Sequence, residues 1–129
     1  MHAFLTPEWT GDYRDVWNAN ARLREGLREF SATIKYFVEG AEHDAVELVV
    51  EHGEATGAGP AGRASYDFEL WASPENWRRL ATGDLGPRAA MLTKRLKFKG
   101  SMVVATRNMG GFEESLRTMA GVPTSWPTP

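Results

Sequence analysis

Hydrophobic positions change period along this chain of 129 residues. Over residues 13–30 they recur at helical spacing. Tyr13, Val16, Trp17, Leu23, Leu27 and Phe30 share one stripe, and Arg14, Arg22, Glu25 and Glu29 fall off it. The pattern predicts one long helix over 13–30 with Asp12 as its N-cap. Residues 1–11 read as an arm whose Phe4, Leu5 and Trp9 pack on the domain. Asn20 interrupts the stripe. It is either satisfied by a neighbouring backbone group or is a polar group inside a ligand cavity.

From residue 33 the period drops to two. Ile34, Tyr36 and Val38 alternate with Lys35 and Phe37. Val46, Leu48 and Val50 alternate with Glu47, Val49 and Glu51. Tyr66, Phe68 and Leu70 alternate with Asp67 and Glu69, and Leu96 and Phe98 with Lys97 and Lys99. Each strand has one mainly apolar face and one more polar face, so the sheet is covered by helices on one side and wet on the other. Short connections predict a largely antiparallel sheet of about five strands in an α+β fold.

Between these strands Ser73-Pro74-Glu75 is a helix start: a capping hydroxyl, a proline at the first position and a carboxylate in the first turn. Trp77, Leu80 and Ala81 share that helix's face, and Gly83 sits where a left-handed C-terminal cap belongs. Ser101 opens a last helix, with Met102, Ala105, Met109, Phe112, Leu116 and Met119 on one stripe. Gly110-Gly111 interrupts that stripe and predicts a kink or a break, hence a candidate hinge. Residues 121–129 are too proline-rich for a helix, and Trp126 reads as their anchor.

Composition narrows the picture. The length suits a single domain over 1–129 with a real core. No cysteine is present, which excludes disulfides, thiolate metal sites and thiol nucleophiles. A net charge of −2 gives no global basic field for nucleic acid. No apolar run approaches a membrane span, and the N-terminus has no secretory pattern, so a cytoplasmic protein is the expectation.

Candidate chemistry is sparse. Gly57, Gly59 and Gly62 match G-x-G-x-x-G in letters only. No helix opens on the last glycine and Pro60 lacks an N–H, so a hairpin loop is expected there rather than a dinucleotide site. His2, His43 and His52 lack metal-ligand spacing. No acid, base and nucleophile set is visible, so no catalytic residue, metal or cofactor is assigned, and an enzyme is not expected. Lys94, Arg95, Lys97 and Lys99 form a basic patch, read as a solvated strand face paired with Glu47, Glu51, Asp67 or Glu69, or as a transient dock on anionic membrane. The methionines and aromatics, Trp77, Met91, Met102, Met109, Phe112, Leu116 and Met119, suit either an ordinary core or an adaptable apolar cavity.

One ordered series breaks that tie. The strand, the helix start at 73–75, Leu80-Ala81, Gly83, Leu85, Pro87, Ala90-Met91, then Leu96, Phe98 and Gly100 follow one another at fixed intervals. This series resembles the sterol carrier protein 2 family over the last two-thirds of the chain, from about residue 30. Thr93 stands where the family often has glycine, and Ser101 where it often has an acidic residue or asparagine. The resemblance implies an apolar tunnel between sheet and helices, closed by the C-terminal helix. It implies non-enzymatic binding or transfer of a hydrophobic small molecule: a fatty acid, sterol or acyl-CoA. It assigns lining roles to Trp77, Met91, Phe98, Met102 and Met109, and the helical stripe extends them to Phe112 and Leu116. The alternative is an interaction or scaffolding module whose cavity its own side chains fill, with a homodimer as one form.

Overall fold

A computed structural model describes residues 1–41 and 44–126. His43 and residues 127–129 of the tail lie outside the described residues. The elements in order are β1 (His2–Ala3), α1 (Pro7–Ala19), α2 (Ala21–Gly26), β2 (Ala32–Val38), β3 (Val46–Glu51), β4 (Glu54–Pro60) and β5 (Phe68–Ala72). Then come α3 (Pro74–Ala81), α4 (Pro87–Leu92), β6 (Lys97–Gly100), α5 (Met102–Arg107), α6 (Met109–Thr118), a 3-10 turn (Met119–Gly121) and β7 (Thr124–Ser125).

The five-stranded sheet has the order β4-β3-β2-β5-β6. Three of its pairings are antiparallel, but β2 and β5 run parallel, so the sheet is mixed. The parallel pair is permitted by the long excursion through β3 and β4 between those strands. Register aligns the inner face into rows: Val46, Tyr36, Leu70 and Phe98 in one, Leu48, Ile34 and Phe68 in the next. The outer face carries an alternating charge row of Glu47, Lys35, Glu69 and Lys99. Within it Lys35 and Lys99 lie 3.8 and 3.7 Å from the Glu69 carboxylate. Beside it Phe37 stacks on Trp71 at 5.4 Å, and Lys97 pairs with Glu39.

The first helix departs from the sequence expectation at both ends. It begins at Pro7, capped by Thr6, whose hydroxyl accepts the Trp9 N–H at 3.2 Å. Thr6-Pro7-Glu8 is therefore the same start signal as Ser73-Pro74-Glu75, and residues 7–11 are helix rather than arm. Nor does one helix run over 13–30. Asn20 leaves the helical backbone and N-caps α2, its side-chain oxygen accepting the Leu23 N–H at 3.1 Å. Its amide donates to Glu114 Oε2 and Thr118 Oγ1, each at 3.1 Å, so Asn20 is satisfied by protein partners. A local side-chain cap outcompetes helix continuation here.

The segment around Gly57-Ala58-Gly59 is an edge strand, β4, and not a hairpin loop. Its backbone pairs with β3, and Asn18 of α1 donates to the Ala55 carbonyl at 2.8 Å and accepts the Ala55 N–H at 2.9 Å. The last helix breaks at Asn108, two residues ahead of Gly110-Gly111. Gly111 serves packing instead: a Cβ there would come 2.3 Å from Leu27, so glycine lets α2 and α6 approach closely. The two chain ends meet, β1 pairing with β7 in parallel. Trp126 stacks on Phe4 at 5.0 Å and anchors the tail.

The core sits between the inner sheet face and the helices. Trp9, Tyr13, Trp17, Tyr36 and Trp77 are fully buried. Each indole N–H finds an acceptor: Thr124 Oγ1, the Gly53 carbonyl and the Phe37 carbonyl, all at 2.9 Å. The Tyr13 hydroxyl donates to the Ser115 carbonyl at 2.7 Å. Burial pushes the Tyr13 phenol well above its ordinary range, with Tyr36 beside it adding to the rise. Burial likewise raises Tyr36, which a hydrogen bond with Tyr13 partly offsets.

Candidate functional site

Packing ends before the sheet does. Beyond β5 lies the edge strand β6, preceded in the chain by α4 and followed by α5. Gly86-Pro87 starts α4, where proline's fixed φ and missing N–H cost nothing. The helix turns Ala90 into the core and leaves Met91 and Leu92 outside it. Strand β6 ends at Gly100 with φ of 150°, where a Cβ would meet the Phe68 ring at 2.4 Å. That glycine lets the chain cross Phe68 and enter α5. Ser101 caps α5, its hydroxyl accepting the Val104 N–H at 3.3 Å.

These elements enclose an open cleft of about 910 Å³. Its walls are mainly apolar: Trp71, Met91, Leu92, Phe98, Met102 and Met109. The Phe98 ring on this lining packs 5.5 Å from that of the buried Phe68. The volume falls within the roughly 300–1,000 Å³ of small-molecule sites. Arg88, Lys94, Lys97 and Thr106 complete the lining, which contains no carboxylate and no imidazole.

The cations differ in how they are held. Arg88 sends Nε and Nη2 to one oxygen of Glu113, at 2.7 and 2.6 Å. Glu113 is nearly buried and also faces Arg117 at 3.5 Å. Arg88 is thus fixed by a charge-assisted pair at one end of the cleft. Lys97 is tied to Glu39 across the outer sheet face. Lys94, in a left-handed turn with φ of 60°, makes no ion pair among the described residues.

Of the seven residues singled out in the sequence, the structure brings Met91, Phe98, Met102 and Met109 together in this cleft. Trp77, Phe112 and Leu116 sit in the packed core and do not line it. Trp77 fills the space under α3, and Phe112 packs its ring 5.2 Å from Phe30 and 5.3 Å from Phe68. The stripe continues smoothly in sequence, but its surroundings change along it: Met102 and Met109 meet the cleft, whereas Phe112 and Leu116, further along α6, meet the core. Sequence reasoning missed Trp71, Leu92, Arg88, Lys94, Lys97 and Thr106 as lining. Leu92 ends the apolar Ala89-Ala90-Met91-Leu92 run, which offered a signal. Trp71 gave none, because its strand parity places it on the outer face and only the edge geometry brings it to the cleft.

Further depressions are more polar, among them one of about 550 Å³ lined by Glu25, Arg28, Glu29 and Arg107. One of about 560 Å³ is lined by Arg22, Arg107, Glu113, Glu114 and Arg117 among others, and one of about 360 Å³ lies between Phe4, Pro7, Val38 and Pro60. Among the described residues no group of three or more histidines and carboxylates is placed to hold a metal ion. No helix of the described residues is long and apolar enough to cross a membrane.

The same architecture is found in solved structures. A crystal structure of sterol carrier protein 2 superposes with a TM-score of 0.84 at 23% identity, covering 93% of this chain and 99% of that one. A conserved hypothetical protein from Thermus thermophilus gives 0.81 at 21% identity, over 98% of this chain and 94% of its own. The palmitated sterol carrier protein 2-like 2 of Aedes aegypti gives 0.55 at 14% identity, over 82% and 92%. At such identities the likeness is one of fold. No curated protein matches the chain. The model of the SCP-2 sterol transfer family, however, matches residues 15–113, from the middle of α1 through β6 into α6, and by that match the chain belongs to this family.

Proposed function

We propose that this chain binds, and passes on, a lipid with an apolar tail in the cleft at the β6 edge, without catalysing a reaction. The observation that carries the reading is the cleft itself: about 910 Å³ walled by Met91, Leu92, Phe98, Met102, Met109 and Trp71. Three methionines on its lining suit ligands of varied shape, because the unbranched thioether side chain adapts its rotamer to what it meets. Burying roughly 300 Å² of ligand tail is worth about 7 kcal/mol before the costs of association. Family membership and the palmitate carried by the Aedes aegypti relative support the same reading.

The cleft favours a ligand with an acidic head group, such as a fatty acid or an acyl phosphate ester. Lys94 lies on its lining without an ion-pair partner among the described residues, whereas Arg88 on the same lining is paired with Glu113. A carboxylate or phosphate there gains a charge-assisted bond while its tail lies on Phe98 and the methionines.

The test is titration of the full chain with a fluorescent fatty acid, together with native mass spectrometry and extraction of co-purifying lipid. Uptake is expected in the wild type. Met102→Glu with Met109→Glu is expected to weaken it about tenfold or more, since a charge set in an apolar wall costs upwards of about 1.4 kcal/mol. If that variant melts as the wild type and binds equally well, the cleft is not the ligand site.

A further inference from the structure

Charge is distributed unevenly along this chain. Residues 85–112 hold six cations, Arg88, Lys94, Arg95, Lys97, Lys99 and Arg107, and no carboxylate, in a protein whose net charge is −2. Exposed apolar side chains concentrate in the same stretch. Among the described residues the large ones are Met1, Leu92, Met102 and Val103, and the last three are 78%, 58% and 68% exposed. Leu92 at the end of α4 and Met102 at the start of α5 both line the cleft and are exposed at its lips. Val103 follows Met102, whereas Arg107 at the end of α5 lines a neighbouring depression with Glu113 and Glu114. Lys94, Arg95 and Arg107 make no ion pair among the described residues, whereas Lys97 and Lys99 are held by Glu39 and Glu69 on the outer sheet face.

We propose that the lips of the cleft form a docking surface for an anionic lipid bilayer, with Leu92, Met102 and Val103 entering the interface and Lys94 and Arg95 meeting its acidic head groups. The proposal rests on the cleft being the ligand site, and names the surface that site faces when it loads and unloads. Stable attachment to a bilayer takes two signals, apolar insertion and a basic cluster, and both occur here around one opening. A second copy of this chain fits the patch poorly, because a twofold contact would set the unpaired cations against their own images. A ligand moving from bilayer to cleft across these lips would keep its tail out of water, which is the costly step of transfer.

Co-sedimentation of the full chain with phosphatidylcholine vesicles, with and without phosphatidylglycerol, tests the proposal. Sedimentation is expected only with the anionic vesicles, and is expected to be reversed by high salt. Arg95→Gln should lower partitioning about five-fold, the effect of one cation near such a surface. Val103→Asp should abolish it. Neither residue lines the cleft, so both variants should take up fluorescent fatty acid in vesicle-free buffer as the wild type does. Binding that ignores vesicle charge, equal sedimentation of Val103→Asp, or no sedimentation at low salt overturns the docking surface. So does a dimer that Val103→Asp disperses, which would assign the patch to a second copy. Loss of fatty acid uptake by the wild type in vesicle-free buffer tells instead against the ligand site, so the two failures are distinguishable.

Discussion

Over β2, β3 and β4 the inner sheet face is filled by Trp9, Tyr13, Trp17, Tyr36 and Trp77, all fully buried, each indole N–H accepted by a hydroxyl or carbonyl oxygen. At β6 the same face meets Met91, Met102 and Met109, which are half-buried or exposed and leave a cleft. Both regions are rich in large apolar side chains, so hydrophobicity does not separate them. What separates them is stiffness and polar tethering. An indole or phenol with its polar tip bonded to a fixed backbone oxygen has one place to be, and such a region packs solid. Methionine carries no such tether and many rotamers, and at an edge strand with a short helix before and after it in the chain it lines space instead of filling it.

The contrast predicts unequal responses to substitution. Trp77→Ala removes a fully buried ring and its hydrogen bond to the Phe37 carbonyl, and is expected to cost about 3–5 kcal/mol in urea unfolding. A loss near that of a surface site would mean that the packed end is not packed. Gly111→Ala tests the α2–α6 seam of the same end. A methyl 2.3 Å from Leu27 is expected to cost about 1–3 kcal/mol. Combining it with Leu27→Ala should cost less than the sum of the single losses.

Alkaline unfolding addresses the buried phenols. Tyr13 and Tyr36 are raised in the fold above the ordinary value of 10.0. The unfolded chain therefore loses these protons first as pH climbs past that value. Their contribution is complete below it and is lost as pH rises toward the folded values. Stability is expected to fall by about 1.4 kcal/mol per pH unit for each phenol, and Tyr13→Phe should reduce that slope by one phenol's share. A flat profile above the ordinary tyrosine range would show that the two are not sealed.

Smaller effects sharpen the comparison. Thr6→Ala and Ser73→Ala remove equivalent caps and are each expected to cost about 1 kcal/mol, read from melting temperatures. At the open end Met102→Ala is expected to change stability by less than about 0.5 kcal/mol while weakening fatty acid binding. A large stability loss there would move Met102 from the lip into the core.

The sequence stated the strands through their alternation, α3 through Ser73-Pro74-Glu75, and α5 through Ser101. The ordered series ending in Leu96, Phe98 and Gly100 identified the family correctly. Thr6-Pro7-Glu8 was equally legible, but the apolar stripe beginning at Tyr13 and the capping side chain of Asp12 drew the helix start to Tyr13 rather than Pro7. Strand β4 was hidden because glycine and alanine give no alternation to read. Its pairing comes from β3 and from Asn18, partners that become visible only in space.

What the sequence by itself determined is therefore local: where periods change, where caps can form, and which side chains are apolar enough to bury. Those follow from backbone sterics and side-chain chemistry within a few residues. The tertiary structure alone decided which members of one continuous stripe face a cleft and which face the core. Met102 and Met109 line the cleft with Met91 and Phe98, although Met109 is already the first residue of α6, just past the break at Asn108. Phe112 and Leu116 lie further along α6 and meet Phe30, Phe68 and the inner sheet. Spacing records which side of a helix is apolar. It does not record what stands opposite, because that depends on strand order and on where the sheet ends.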